Sequence, residues 1–288
     1  MSDLKHLQNG SDIRGIACEG VEGEAVNLTP EIANRIGQAF VAWLANKLGK
    51  KETDLTIGIG HDSRITADAL MEGTSKGIMS TGAKAIDCGL VSTPSMFMTV
   101  VFKETAFDGS IMITASHLPF NRNGLKFFDK DGGLEKEDIA DILKRASILE
   151  ETKTEAVAEK MDTLSLYCKS LCEKIRAGVN ADDYEKPLSG LRITVDAGNG
   201  AGGFFVENVL APLGADTTGS QFLEPDGYFP NHIPNPEDKK AMKAIQDAVL
   251  ANHSDLGIIF DTDVDRMSAV LPDGEAVNRD AIIAMMAA

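Results

Sequence analysis

The sequence predicts an α/β protein that contains two similar units. Apolar, strand-like runs alternate with amphipathic helices along most of the chain, which is typical of layered α/β folds. The pattern restarts after residues 186–190, and two pairs of segments echo each other: 55–61 with 191–197, and 111–116 with 258–263. We therefore expect each unit to present a loop at the carboxyl end of a strand, where such sheets bind ligands.

Local signals predict the elements of the first unit. Thr29 and Pro30 are a strong helix start, and the apolar residues that recur every four positions predict a helix that continues to Leu48 and ends at Gly49. The charged stretch 150–160 resembles a solvated helix. The other predicted elements are strands at 55–59, 83–87 and 109–113 and a helix at 67–80.

The second unit follows a predicted helix at 161–177 and the segment K-P-L-S-G at 186–190, which we interpret as the domain boundary. Four prolines make 224–237 a loop. The remaining predicted elements are a strand at 191–195, a helix after the glycine-rich run at 196–203, a helix at 239–252 and a strand at 256–260.

Composition limits the classes of function. The chain has 288 residues, of which 43% are apolar, and this is enough to bury the cores of two domains. A formal net charge of −16 argues against sequence-independent nucleic-acid binding and against anionic membrane surfaces. A phosphorylated metabolite remains compatible with this charge if the site itself is made cationic by a metal and a few basic side chains.

The cysteines and the N-terminus indicate a cytoplasmic protein. Cys18, Cys88, Cys168 and Cys172 have neither zinc-ribbon nor redox spacing, so we expect reduced thiols. The first residues contain no apolar stretch typical of a signal peptide, and no apolar run is long enough to span a bilayer.

An acidic cluster is the first candidate site. Asp261, Asp263 and Asp265 follow the apolar strand L-G-I-I-F, and carboxylates this close repel each other unless a cation compensates them. Hard oxygen ligands favour Mg²⁺. A solvated acidic turn is the alternative, whereas an EF-hand loop is excluded because Arg266 and Pro272 stand where Gly and Glu are needed.

A second interpretation of this loop is the haloacid-dehalogenase pattern, an apolar strand followed by D-x-D-x-T/V. Phe260 to Asp263 match it, but Asp265 stands where Thr or Val belongs. That class would make Asp261 the nucleophile of an aspartyl-phosphate phosphatase. Arg266 would either form an internal salt bridge to these carboxylates or bind phosphate oxygens, and both can hold in one site.

A polar loop at 113–126 is the second candidate site. Its Ser116 can carry a phosphoryl group if a metal stabilises the developing charge. His117 is adjacent, although a lone histidine is more often structural. Lys126 stands beside two phenylalanines, so partial desolvation could lower its pKa into the range of a general base, while an ordinary surface lysine is the alternative.

Other polar positions are weaker candidates. Asn121, Asn123 and Gly124 are interpreted as turn residues. Arg14 and Arg64 are cationic side chains at predicted loops, and each taken alone is more often structural than functional. The run D-A-G-N-G-A-G-G at residues 196–203 lacks the G-x-G-x-x-G spacing and an acidic residue about 20 positions later, so we reject nucleotide binding there.

Taken together, these segments resemble the α-D-phosphohexomutase superfamily, that is, phosphoglucomutases and phosphomannomutases. Six motifs occur in the family's order over nearly the whole chain. They are G-S-D-I-R-G (10–15), G-H-D-S-R (60–64), T-A-S-H-L-P-F-N-R-N-G-L-K (114–126), D-A-G-N-G-A-G (196–202), P-D-G-Y-F-P-N-H-I-P-N-P-E (225–237) and D-T-D-V-D-R (261–266).

The resemblance implies a mechanism and a role for each candidate residue. Phosphate would move between the 1- and 6-hydroxyls of a hexose phosphate through a hexose 1,6-bisphosphate intermediate. The implied roles are Ser116 as phosphoserine, Asp261, Asp263 and Asp265 as Mg²⁺ ligands together with the Ser116 phosphate, Lys126 as general acid/base, and Arg14, Arg266 and His117 as assisting groups.

The resemblance also implies two three-layer α/β/α domains with mixed sheets, followed by the truncated start of a third. The expected boundaries are domain I at 1–160, a helical linker at 161–186, domain II at 187–275 and the start of domain III at 276–288. Family members have four domains, and the uncapped apolar C-terminus fits a chain cut inside a longer protein.

Two consequences follow for function. Without its C-terminal domains, which would be its partners, the chain is expected to turn over hexose phosphate poorly. Leu118 stands where the family usually has Asn, which leaves open a non-catalytic protein that binds sugar phosphates.

Overall fold

The computed structural model describes residues 3–287 and confirms the α/β class. The chain divides into two compact units, with the division between Leu164 and Ser165. Each unit has its own sheet. Within the described residues, no helix combines the length and the apolarity needed to cross a bilayer. The boundaries expected for the linker and for a third domain stay predictions.

The first unit is a three-layer arrangement around a mixed sheet. Its strands are β1 (Gln8–Asn9), β2 (Asp12–Ile16), β3 (Thr56–His61), β4 (Lys84–Leu90), β5 (Gly109–Ile113), β6 (Arg122–Asp129), β7 (Gly132–Gly133) and β8 (Glu159–Lys160). They are ordered β1-β2-β6-β5-β3-β4-β8, with β7 on β6. Strand β3 is parallel to β4 and β5, whereas β6 is antiparallel to β2 and β5.

Helices cover both faces of this sheet. They are α1 (Pro30–Leu48), α2 (Ala67–Ser80), α3 (Thr93–Val101) and α4 (Lys136–Ile148). Alternate residues of β5 point to opposite faces. Ile111 and Ile113 join the larger core with Phe40 of α1, whereas Met112 packs with Met96 of α3.

The helix start predicted at Thr29 is confirmed. Thr29 Oγ1 accepts a hydrogen bond from the Ile32 amide at 3.4 Å, Pro30 occupies the first turn, and Gly49 ends α1 with a left-handed φ of 64°. Helix α1 packs closely on α2 at Gly77. A Cβ at this position would lie 2.0 Å from the Asn34 carbonyl oxygen, so only glycine permits this approach.

The prediction of a helix at 150–160 is wrong. Glu150 and Thr152 lie in a segment without regular secondary structure that leads to β8, which pairs in parallel with β4. Side chains of α1 take up its backbone groups: Asn34 accepts from the Thr152 amide at 3.0 Å, and Gln38 donates to the Glu150 carbonyl at 2.9 Å. The stretch has no apolar stripe to pack as a helix, so these tertiary contacts decide its conformation.

The second unit contains strands β9 (Ile193–Asp196), β10 (Leu256–Phe260) and β11 (Met267–Val270) and helices α6 (Lys239–Asn252) and α7 (Arg279–Ala287). Helix α5 (Thr163–Val179) also belongs to it, except for its first two residues, which precede the division. The sheet order is β11-β10-β9, with β9 parallel and β11 antiparallel to β10. Helix α6 packs Ile245 and Val249 against Ile259 and Val270. The helix expected after the glycine-rich run includes a single π-helical turn, Val206–Leu210.

The interpretation of Asn123 and Gly124 as turn residues is also wrong, because both lie inside β6. Gly124 pairs with Arg14 across to β2. A Cβ at this position would lie 2.3 Å from the Ile13 carbonyl oxygen and 2.8 Å from that of Thr114, so the glycine permits close strand approach.

Candidate functional site

The two candidate loops occupy equivalent positions in their units. In the first unit, β5 is parallel to β3 and antiparallel to β6, and the loop between β5 and β6 carries Ser116. In the second unit, β10 is parallel to β9 and antiparallel to β11, and the loop between β10 and β11 carries the aspartates. The echo between the two halves of the sequence therefore has a structural counterpart.

Ser116 is held in an unusual backbone conformation. Its φ is 53°, in the left-handed region that few residues other than glycine adopt, and the residue is only 3% exposed. Its amide donates to Thr114 Oγ1 at 2.8 Å, and its hydroxyl oxygen lies 3.4 Å from His117 Nδ1. The structure thus places His117 beside the hydroxyl, as its sequence position suggested.

Arg64 binds the backbone of the Ser116 loop. Its side chain is fully buried, and its terminal nitrogens donate to the carbonyl oxygens of Ser116, Leu118 (2.6 Å), Pro119 (2.8 Å) and Arg122 (2.8 Å). Asp62 lies beside it, with Oδ2 at 3.5 Å from Arg64 Nε. The structural interpretation of Arg64 is confirmed, but the sequence did not reveal how many carbonyls it contacts.

Lys126 and Arg14 lie on the neighbouring strands β6 and β2, so the loop expected at Arg14 is wrong. Lys126 is only 9% exposed within β6, so it is desolvated as expected for a lysine beside two phenylalanines. Arg14 pairs with Gly124, two positions from Lys126, so the strand register places both basic residues on one face. The Arg14 Nη2 atom donates to Asp12 at 2.8 Å, while its Nε is buried without a hydrogen-bond partner among residues 3–287.

The aspartate loop is compact and largely buried. Asp261 and Asp263 are buried, Asp265 is more exposed, and one carboxylate oxygen of each lies within 4.8 Å of the others. Arg266 forms the internal salt bridge considered for it, with its Nε and Nη2 atoms at 2.9 and 2.7 Å from Asp261 Oδ2.

Burial and like charges together determine the electrostatics of this loop. Burial of its carboxyl group, reinforced by the charges of Asp263 and Asp265, raises the pKa of Asp261 to about 8, although Arg266 acts in the opposite direction. The ion pair with Arg266 favours the charged form of Asp261, whereas repulsion from Asp263 and Asp265 favours its neutral form. A divalent cation among the carboxylates would relieve that repulsion, and a set of hard carboxylate oxygens fits Mg²⁺.

The glycine-rich run packs against the aspartate loop. The Ala201 amide donates to the Thr262 carbonyl at 2.8 Å, and a Cβ at Gly200 would lie 2.6 Å from the same oxygen. Val264, at the tip of the loop, has a φ of 63°, which is a genuine outlier for a β-branched residue. Nothing in the sequence predicted this backbone strain.

A buried ion pair anchors the proline-rich loop, residues 224–237. His232 Nε2 lies 3.0 Å from both oxygens of Asp196, and its Nδ1 lies 2.9 Å from the Ile233 carbonyl oxygen. Both ring nitrogens thus face acceptors, as in an imidazolium. Burial lowers the pKa of His232, but Asp196 and the Ile233 carbonyl outweigh it, so the net shift is upward. Sequence analysis missed this pair because its members are far apart in the chain.

Two family models match the chain. Residues 5–154 match the model described as phosphoglucomutase/phosphomannomutase, alpha/beta/alpha domain I, and residues 166–274 match alpha/beta/alpha domain II of the same description.

Curated relatives are similar to this chain over nearly its whole length. A phosphoglucomutase from Neisseria meningitidis is 31% identical and a phosphoglucomutase/phosphomannomutase from Thermococcus kodakarensis is 32% identical, each over 96% of this chain. A probable phosphoglucosamine mutase from Methanocella arvoryzae is 34% identical over 96% of the chain. These alignments cover 55%, 57% and 57% of the relatives, so the chain spans about half the length of the curated relatives that it matches.

A solved structure shows the same fold. The phosphoglucomutase/phosphomannomutase family protein from Burkholderia thailandensis aligns with all of this chain and 58% of its own, with a TM-score of 0.79 and 24% identity. Ser116 belongs to the first unit and the aspartates to the second, and their meeting on one cation stays a prediction.

Proposed function

Because the chain belongs to the phosphoglucomutase/phosphomannomutase family, we propose that it provides the phosphoserine and metal loops of a Mg²⁺-dependent phosphohexomutase. The observation that carries this proposal is the equivalent placement of Ser116 and the aspartates at strand ends of two similar units. A hydroxyl that can carry phosphate and carboxylates that can hold a hard cation are the parts that phosphoryl transfer needs.

In the proposed reaction, a hexose hydroxyl attacks the phosphorus of phosphorylated Ser116. A new O–P bond forms to the sugar, and the bond between phosphorus and Ser116 Oγ breaks. Lys126 accepts the proton of the attacking hydroxyl, for which its desolvated position in β6 suits it. Lys126 then gives this proton to the departing Ser116 oxygen, which leaves as a hydroxyl. After the hexose 1,6-bisphosphate turns over in the site, the Ser116 hydroxyl attacks its other phosphate, and Lys126 transfers the serine proton to the sugar oxygen that is released.

Asp261, Asp263 and Asp265 would hold Mg²⁺, which supplies charge neutralisation for the phosphoryl group when bound. Arg266 keeps Asp261 in place through its salt bridge. Arg14 and His117 supply further polar contacts on the side of the Ser116 loop.

The substrate class of the proposal is a hexose phosphate. The relatives are named as phosphoglucomutases, phosphomannomutases and phosphoglucosamine mutases, so we propose no single sugar. Since this chain spans about half of those relatives, we propose that further domains complete the sugar site and that the chain alone turns over slowly.

The test is covalent phosphorylation of the chain. We expect that glucose 1,6-bisphosphate and Mg²⁺ add one phosphoryl group, which intact-mass analysis and peptide mapping locate at Ser116, and that S116A abolishes it. An adduct on Asp261 that hydroxylamine removes would instead indicate the aspartyl-phosphate phosphatase. No adduct under any condition, with the sugar bisphosphate still bound, would indicate the non-catalytic binder.

A further inference from the structure

A buried ion pair outside the proposed chemistry holds both backbone groups of Ser116. Arg64 donates to the Ser116 carbonyl oxygen. Asp62 Oδ2 accepts from the Thr114 hydroxyl at 2.6 Å, and that hydroxyl accepts from the Ser116 amide at 2.8 Å. Asp62 and Arg64 are joined twice, because Asp62 Oδ1 also accepts from the Arg64 amide at 3.0 Å.

The guanidinium is directed at the loop backbone rather than at a ligand. Its Nη1 atom donates to two carbonyl oxygens, its Nη2 atom donates to two more, and its Nε faces Asp62. A rigid planar fork with five N–H donors makes this pattern possible, and a lysine ammonium with three donors cannot reproduce it. Both side chains are fully shielded from solvent. The hydrogen bonds of this buried guanidinium therefore hold the loop backbone in one conformation.

Ser116 needs such support. Its left-handed backbone conformation is disfavoured for an L-residue and persists only where the surroundings hold it. Since the backbone dihedrals set the direction of the Cα–Cβ bond, the groups that hold the Ser116 amide and carbonyl also aim its hydroxyl oxygen.

We infer that Asp62 and Arg64 are positioning residues that set the rate of phosphoryl transfer at Ser116 without touching the substrate. This inference rests on the proposed function. Displacing a reacting atom by about 1 Å can slow a reaction by about 100-fold. Loss of the Arg64 guanidinium should therefore lower the rate of phosphoryl transfer and leave the affinity for the phosphoryl donor nearly unchanged.

The experiment measures the rate of Ser116 phosphorylation by glucose 1,6-bisphosphate and Mg²⁺ in the full chain, by intact mass over a range of donor concentrations. For R64K we expect a maximal rate reduced by about 10- to 100-fold, with the half-saturating donor concentration within about threefold of wild type. R35K is the matched control, because Arg35 also donates through Nε and Nη2 to a carbonyl, that of Ala146. It should keep the wild-type rate.

Thr114 provides a second variant if R64K does not fold. T114V removes the hydroxyl that links Asp62 to the Ser116 amide and should slow transfer, while T114S should restore it. A wild-type rate in R64K or in T114V would overturn the inference.

The proposed function can fail separately. If the wild-type chain takes up no phosphate, the mutase proposal fails, and the positioning inference is tested by amide hydrogen exchange at residues 115–118. R64K, or T114V in its place, should accelerate exchange there and R35K should not. Equal exchange in the variants and the control would overturn the inference.

Discussion

Replacing His232 by glutamine tests the buried ion pair of the second unit. Glutamine can donate one hydrogen bond to Asp196 but carries no charge and cannot also donate to the Ile233 carbonyl. Removing one member of a buried ion pair costs about 3–5 kcal/mol. Asp196 keeps the Gly198 amide and the Gln221 side chain as donors, so we expect the lower end, about 3 kcal/mol, at pH 6.

The pH dependence has a definite sign. The folded-state pKa of His232 is raised above its unfolded value of about 6.5, so the folded protein binds this proton more tightly. The stabilisation is complete below that unfolded pKa and is lost as pH rises through the folded pKa. Over that pH window, the unfolding free energy of the wild type falls by up to about 1.4 kcal/mol per pH unit. The difference in unfolding free energy between wild type and H232Q should therefore narrow as pH rises.

The aromatic residues allow the two units to be followed separately. Trp43 lies in the first unit, whereas Tyr167, Tyr184 and Tyr228 lie in the second. In urea titrations of fluorotyrosine-labelled protein at several pH values, the tyrosines of H232Q should report unfolding at a lower urea concentration than those of the wild type. The unfolding transition reported by Trp43 should be unchanged.

The control is H6Q, which removes an exposed histidine of the first unit and should leave the tyrosine transition unchanged at every pH. A gap between wild type and H232Q that is constant, or that widens as pH rises, would refute the reasoning.

Three further predictions concern packing and the aspartate loop. V264G should be more stable than V264A by about 1 kcal/mol in the tyrosine transition, the reverse of the usual order, because φ is 63° there; a more stable alanine variant would contradict this. G77A should destabilise the Trp43 transition by about 1–3 kcal/mol, because the new Cβ would lie 2.0 Å from the Asn34 carbonyl oxygen; unchanged stability would show that α1 and α2 can separate without cost. D263N should weaken Mg²⁺ binding, measured by calorimetry, by more than about 100-fold, and an unchanged affinity would remove this carboxylate from the metal site.

Elements with local signals were predictable from the sequence. The bounds of α2, α6, β5 and β10 agree with the structure, because apolar periodicity and flanking turn residues are properties of the segment itself. The aspartate loop was predictable for the same reason, since its three carboxylates lie within five positions after a buried strand.

Features that depend on distant partners were not predictable. Residues 150–160 look helical by charge, but Asn34 and Gln38 bind the backbone groups of Thr152 and Glu150, and no helix forms there. Gly124 looks like a turn residue, yet its role is strand packing. Arg64 gives no sign in sequence that it donates to four carbonyls, because those acceptors lie more than 50 positions away.

Whether Ser116 and the aspartate loop act on one phosphate can be measured directly by ³¹P NMR of the phosphorylated chain with Mn²⁺ in place of Mg²⁺. A paramagnetic ion beside the phosphoserine broadens its resonance, so we expect strong broadening in wild type and little in D263N. A sharp phosphoserine signal while electron paramagnetic resonance shows Mn²⁺ bound to the aspartates would contradict the shared site.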